Sequence, residues 1–424
     1  MSKPEVIEIS SLKLYDEQAA ISHVKALSFK RQVGKAGETK CINYISKQLN
    51  KENIDHTVES FEWVKTLIIM IKLVLAFILI YIFVYTIILL NPIISWVILP
   101  LDITFLILLY YGVKFIFDHT RDSTIGKKKE SNNVIATFRA EDLYANRPVI
   151  IFSAHHDTTS HSYPMAILMF LYKLGGILML IFMVLASFLS IWSLLALFQL
   201  TQIDSLYLLI RNVSIICGFS FLIVNTLIIT DKRSNNSDGS IDNASGVAVL
   251  LELAKLIKNQ PLKKTDVIFL WIGAKEMGYL GSKQYCIKHF EELIYDYDLD
   301  KSYNINIDMV GTYIGLIDKL GMFKKKRLNQ NLNDVLKASA HQLKIPLKTE
   351  FVKAGSGSSD HGIFRAYAKK EGKKGFQVSI FTSKDDAKFI HSKNDTPEKC
   401  SAYNLNGCLE ICYNAIKSLD LRVE

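Results

Sequence analysis

The chain has 424 residues, 50% of them hydrophobic, with a mean hydropathy of +0.19, a formal net charge of +9 and a pI near 9.0. An apolar excess of this size, gathered into blocks, excludes an ordinary soluble chain of two or three moderately polar domains. The basic runs Lys127-Lys128-Lys129 and Lys324-Lys325-Lys326-Arg327 lack interleaved aromatics or a nucleic-acid fold signature. They read as solvated faces, with lipid headgroups the next reading and nucleic acid not expected as a partner.

Taken from the N-terminus, MSKPEVIEIS has no apolar stretch behind a basic start, which predicts no cleavable signal peptide. Within the first polar block, 1–65, Ala20–Leu49 has helical apolar spacing and Asp55–Trp63 alternates like a strand. Residues 66–117 hold two runs long enough to span a bilayer, Thr66–Leu90 and Ile94–Phe117, joined only by Asn91-Pro92-Ile93. The second polar block, 118–164, contains two strand-like runs, Asn133–Phe138 and Pro148–Ala154. A second pair of spans, Lys173–Phe198 and Leu206–Thr230, lies within 165–230. Short linkers make each pair a hairpin that returns to the side it left. These segments are apolar all round, whereas buried core helices are shorter and amphipathic.

The flanks set an orientation. Lys65, Lys72, Lys114, Arg121, Lys127 to Lys129, Lys173, Lys232 and Arg233 lie near the span ends that face the polar blocks. The opposite linkers carry little charge beyond Asp204, with Arg211 the basic exception. The positive-inside bias therefore predicts a multi-pass membrane protein with its polar part in the cytoplasm.

The third block, 231–424, alternates helix and strand. Helices are expected at Gly246–Lys258, Gly281–Phe290, Asn331–Leu343 and Leu405–Leu419, and strands at Val267–Ile272, Tyr303–Ile307 and Phe376–Phe381. Such alternation predicts an α/β sheet covered on both faces. Blocks 1–65 and 118–164 are too small to bury cores of their own and are expected to complete the same domain. The six cysteines are scattered without a C-x-x-C pair and read as free thiols.

Several metal-ligand types stand where predicted strands end, the usual place for sites in α/β sheets. The strand Val149–Ala154 runs into His155-His156-Asp157, and Asp242-Asn243 precedes a helix. Lys275-Glu276 follows Val267–Ile272, Asp308 follows Tyr303–Ile307, and Phe389-Ile390 precedes His391. Singly, each has a plainer reading: Asp242 as a helix N-cap, His155 and His156 as satisfied pocket histidines, Glu276 and Asp308 as solvated loop acids, and His391 as a surface residue. Together, two imidazoles and three carboxylates make a mixed N/O set suited to zinc, with manganese or cobalt as other divalent candidates.

These residues also carry a family resemblance. The run Ile150–Asp157 resembles the His-x-Asp strand end of the family-28 metallopeptidases, which include aminopeptidases, glutamate carboxypeptidase and glutaminyl cyclases. Asp242-Asn243-Ala244-Ser245-Gly246 resembles the bridging-aspartate motif, and Lys275-Glu276-Met277-Gly278-Tyr279-Leu280-Gly281-Ser282 resembles the Glu-Glu-x-Gly-Leu-x-Gly-Ser segment. Asn306–Gly311 and His391 through Thr396 resemble the last two ligand segments. Ser359-Asp360-His361 resembles a pocket-lining loop, and Arg31–Asn50 the N-terminal helix region.

The resemblance implies a three-layer αβα sandwich with a mixed, mostly parallel, zinc-exopeptidase-like sheet, here interrupted by two transmembrane α-hairpins. It implies two zinc ions, one held by His155 and Asp308 and the other by Glu276 and His391, with Asp242 bridging. Asp157 would orient His155, His156 is the variable middle residue, and Asp360 and His361 would line the pocket. The implied activity is an exopeptidase of aminopeptidase type acting on peptides. Because the second hairpin joins the segments of His155 and Asp242, that site is expected close to the bilayer. Lys275 departs from the pattern, standing where the family carries the glutamate that takes a proton from the attacking water. A metal-binding pseudopeptidase that binds peptides or partners is therefore the alternative, and a membrane scaffold with a decayed site the third.

Overall fold

The computed structural model describes residues 16–64, 66–119, 128–142, 144–321, 325–352 and 359–423. The N-terminal ten residues, Lys65, Arg121, Lys127, Lys324 and the Gly355–Ser358 stretch lie outside them. The chain forms two compact units. One takes in residues up to Glu62, Glu130–Ser160 and the chain from Asn235 onward; the other joins Trp63–Lys129 to His161–Ser234.

The first unit is built on a nine-stranded mixed sheet, counted among the described residues. In chain order the strands are β1 (Thr57–Trp63), β2 (Lys129–Phe138), β3 (Val149–His155), β4 (Asp266–Ile272), β5 (Tyr303–Ile307), β6 (Gly315–Leu320), β7 (Lys326–Arg327), β8 (Lys348–Val352) and β9 (Gln377–Phe381). They lie in the order β1-β2-β4-β3-β5-β9-β6-β7, with β8 beside β6. The centre, β4, β3, β5 and β9, is parallel, while β2 runs antiparallel to β4 and β6 antiparallel to β9. Parallel strands covered on both faces should be apolar throughout, and β3 and β4 are buried along their whole length.

Their side chains divide by parity. Ile150, Phe152, Ala154, Val267, Phe269 and Trp271 enter one core; Val149, Ile151, Ile268, Leu270 and Ile272 enter the other. The first core is closed by α1 (Ala19–Leu27), α2 (Ala36–Lys51), α7 (Ser245–Asn259), α9 (Gln330–Gln342) and α11 (Ala402–Asp420). The second is closed by α8 (Leu280–Asp296) and α10 (His361–Lys370). The result is a three-layer αβα sandwich, as the sequence predicts.

Two details differ from the sequence reading. The helical spacing of Ala20–Leu49 belongs to two helices, because at Arg31 the chain turns inward and Gly34 takes a φ of +72°. The strands β6 and β8, which short or mixed apolar patterns did not reveal, extend the sheet beyond β9, and the equally unmarked helix α10 packs into the second core. The described part of the Lys324–Arg327 run is exposed, with Arg327 paired to Asp334 and Asp318.

The second unit holds α3 (Thr66–Ile88), α4 (Ile98–His119), α5 (Met165–Leu197) and α6 (Ser205–Thr230). Four stretches, Ile69–Ile88, Ser95–Gly112 (which begins in the turn ahead of α4), Met165–Leu197 and Ser205–Thr230, are long and apolar enough to cross a membrane. The third starts at Met165 rather than Lys173, because Pro164 opens the helix upstream. At 33 residues it is roughly 50 Å long, more than one bilayer core requires.

This unit is inverted relative to a soluble bundle. Large apolar side chains such as Ile69, Leu73, Phe170, Leu180 and Ile223 face outward, while polar groups pair inside. Asp102 is buried and accepts hydrogen bonds from the Tyr81 hydroxyl and, at 2.7 Å, from Ser187 Oγ. Lys72 Nζ donates to the carbonyls of Ile229 and Asp231 at 3.0 and 2.9 Å, placing a cation at the C-terminal end of α6.

Candidate metal centre

The carboxyl ends of β3, β4 and β5 point the same way, so the segments that follow them converge. His155 is the last residue of β3 and Asp308 follows β5 directly. A tight turn after β4 holds Lys275 and Glu276, and Gly278 within it has a φ of +108°, a conformation that favours glycine. Asp242 lies in an irregular turn ahead of α7. That turn is pinned by Asn243, whose Nδ2 donates to the Ile307 carbonyl at 2.8 Å and whose Oδ1 accepts from the Gly246 amide at 2.9 Å. Gly246 is required there, since a Cβ would stand 2.3 Å from the Ile307 carbonyl oxygen.

The candidate ligands meet. His155 Nε2 lies 2.8 Å from Asp242 Oδ1 and 3.1 Å from Asp308 Oδ1. His391 Nε2 lies 3.0 Å from Asp242 Oδ2 and 3.3 Å from Glu276 Oε2. Asp242 thus faces one imidazole with each oxygen. Donor atoms of His155, Asp242 and Glu276 all lie within 4.8 Å of one another. The set fits a divalent ion by its chemistry: two imidazoles and three acids, all wholly or largely buried, would be costly without positive charge among them.

Lys275 supplies such a charge. Its Nζ lies 2.9 Å from Glu276 Oε1 and 3.5 Å from both Asp242 Oδ1 and Asp308 Oδ1. Burial pushes the ammonium's pKa down, but the three acids more than offset this and hold it well above the ordinary lysine value. Burial likewise pushes Asp242 up, and Lys275 with the two histidines holds it well below the usual carboxylate range. Glu276 and Asp308 are lowered by the same cation against the same burial. Against their own burial, the surrounding acids raise His155 well above its ordinary value and His391 to about 10.

Asp157 ties two ligand segments together. Its carboxylate accepts from the amides of Lys275 and Glu276, each at 3.0 Å, and stands 3.6 Å from His155 Nδ1. His156 turns elsewhere, its Nε2 lying 2.9 Å from the Asn132 carbonyl, and burial lowers its pKa. Asp360 and His361 sit at the start of α10. Asp360 accepts from Ser282 Oγ at 2.7 Å and is pushed up to about 7 by burial; His361 is lowered to about 4 by burial.

Two organising residues had no separate role in the sequence reading. Arg31 is fully buried and donates to the carbonyls of Leu27, Phe29, His156, Asp238 and Gly239. It therefore fixes the segments before Asp242 and beside His155 at once. Asp395 accepts from the Ile241 amide at 2.6 Å and the Asp242 amide at 3.3 Å. The signal for both was position: Arg31 breaks a helical pattern, and Asp395 follows His391 closely. Replacing Arg31 with Met leaves buried carbonyls without donors and is expected to cost about 3 kcal/mol or more. A melting temperature unchanged in detergent would contradict that.

Comparison with known proteins places this architecture. A profile of Peptidase family M28 matches residues 226–416. Aminopeptidase YwaD of Bacillus subtilis (strain 168) is 43% identical over 77 residues, which is 18% of this chain and only 16% of that relative's length. Among solved structures, the aminopeptidase from Aneurinibacillus sp. strain AM-1 superposes with a TM-score of 0.52 at 16% identity, covering 95% of this chain and 93% of that one. The Porphyromonas gingivalis glutaminyl cyclase gives 0.53 at 15% identity, covering 96% and 99%. A zinc aminopeptidase from Bacillus subtilis gives 0.51 at 14%, covering 95% of each. The fold is thus one shared by aminopeptidases and a glutaminyl cyclase. The stretch that matches the profile of peptidase family M28 takes in Asp242, Lys275, Glu276, Asp308 and His391 but not His155 or Asp157.

Proposed function

We propose that the chain is a membrane-anchored, zinc-dependent exopeptidase of aminopeptidase type that hydrolyses peptides near the membrane surface. The observation that carries this reading is the convergence of His155, Asp242 and Glu276 within 4.8 Å at the carboxyl ends of parallel strands, with Asp308 and His391 against the same acids. Zinc would be held at two positions sharing Asp242: one with His155 and Asp308, the other with Glu276 and His391. Bound zinc supplies Lewis-acid polarisation of the scissile carbonyl and a nucleophile at neutral pH.

The protein's own residues do the rest. Asp157 holds His155 and the Lys275-Glu276 turn in register, so that a shift in one ligand moves the others. Asp360 and His361, close to the second core, line the substrate side. Lys275 is the acid–base residue by position, yet as an ammonium it donates protons and accepts none. That observation favours one second reading, a metal-binding pseudopeptidase that holds peptides or partners without cleaving them. Hydrolysis of a soluble and a hydrophobic peptide by detergent-purified protein, with and without zinc, tests both. Zinc-dependent turnover supports the enzyme, and metal binding without any turnover supports the pseudopeptidase.

The bilayer partner is inferred from the four apolar helices. The basic flanks support a cytoplasmic position for the peptidase-like domain. A cysteine introduced at exposed Asn394 is therefore expected to resist a membrane-impermeant label in intact cells and to react after lysis. Ready labelling of intact cells would reverse the orientation.

A further inference from the structure

Lys275 is placed to do something other than proton transfer. Its ammonium reaches Asp242 and Asp308 at 3.5 Å through their Oδ1 atoms and Glu276 at 2.9 Å through Oε1. The same two Oδ1 atoms face His155, at 2.8 and 3.1 Å. His391, by contrast, faces the opposite oxygens, Asp242 Oδ2 at 3.0 Å and Glu276 Oε2 at 3.3 Å. The lysine side chain is only 11% exposed, so little water screens its charge.

We propose that Lys275 is a resident counter-cation that contests one of the two metal positions, so that the position at His155 and Asp308 binds its ion much more weakly than the position at His391. This rests on the metal reading above. The argument is one of shared oxygens. An ion at His391 would use Asp242 Oδ2 and Glu276 Oε2, so it shares the Glu276 carboxylate with the ammonium, which sits 2.9 Å from Oε1, but no oxygen atom that the ammonium faces. An ion at His155 and Asp308 uses the very oxygens that Lys275 faces, and must displace the ammonium from them. A buried cation so displaced has to find another acid or reach solvent, and the repulsion between it and a divalent ion a few ångströms away opposes entry. The same ammonium lets the clustered acids fold before any metal arrives, since unpaired buried carboxylates are strongly unfavourable. The site would thus be stable when stripped, hold one ion firmly, and take the second only when divalent ions are abundant.

The test uses the full-length protein in detergent, stripped with chelator and titrated with zinc by calorimetry, with elemental analysis at each plateau and melting of the metal-free form. Wild type and Lys275→Arg are expected to show one tight ion and a second at least about tenfold weaker. Lys275→Met, similar in length but uncharged, is expected to bring the two affinities together and to melt several degrees lower when metal-free. Two equal affinities in wild type, or a Met variant whose affinities and metal-free melting match wild type, would overturn the proposal. So would an Arg variant that behaves like Met, since the effect would then belong to shape rather than charge. Turnover is read separately. Unequal affinities that even out in the Met variant, with no peptide cleaved by any form, keep this inference and remove the peptidase reading. Equal affinities with turnover do the reverse.

Discussion

Asp242→Ala is expected to strip zinc from both positions and to lower peptide hydrolysis by at least about 100-fold. Asp242 faces His155 with Oδ1 and His391 with Oδ2, so this one carboxylate touches both halves of the site. Loss of a group that merely orients a metal ligand typically costs about 10–100-fold in affinity or activity, and loss of a shared ligand should exceed that. The truncation also removes one of three acids around Lys275, leaving the ammonium with Glu276 and Asp308. Elemental analysis after dialysis, alongside hydrolysis, checks the outcome. The control is Asp334→Ala, an exposed acid paired with Arg327 and Lys337, which should retain metal as wild type does. Zinc retained at the wild-type level by Asp242→Ala would end the bridging role.

How much of this was legible beforehand follows from what each signal depends on. The central strands are buried on both faces, so β3 and β4 announce themselves as short apolar runs while β5, with Asn304 and Asn306, only alternates; the ends of all three locate His155, Glu276 and Asp308. The four long apolar helices are legible for a similar reason, because length and hydropathy are local properties. What was not legible is long-range. Lys348–Val352 alternates only weakly and becomes a strand through pairing with β6, which no local pattern encodes. Arg31 looks like any surface cation until its guanidinium is seen to serve carbonyls more than 200 residues away at Asp238 and Gly239. The departure at Lys275 was visible as a residue identity, but not its consequence. Only the fold brings Asp242, Glu276 and Asp308 to one ammonium.

Lys275→Glu is expected to raise zinc-dependent peptide hydrolysis by at least about tenfold, within the roughly 10²–10⁴-fold that positioned acid–base groups contribute. In the wild type the side chain at this position is an ammonium whose protonated form is strongly favoured by three neighbouring acids, and it offers nothing for the attacking water to give its proton to. A glutamate there would supply an acceptor carboxylate on the same tight turn, whose backbone is already held by Asp157 through the amides of residues 275 and 276. The substitution has a cost. It adds a fourth acid to Asp242, Glu276 and Asp308, so the stripped variant should melt below wild type and gain more from zinc than wild type does. Hydrolysis is therefore compared at saturating zinc, where occupancy is equal. Lys275→Met completes the series, because it cannot take a proton in any state. Activity that Met abolishes and Glu fails to improve would make the lysine itself the base. If wild type, Glu and Met forms are all inactive with metal in place, the exopeptidase reading fails, and the site is better understood as a metal-stabilised binding surface.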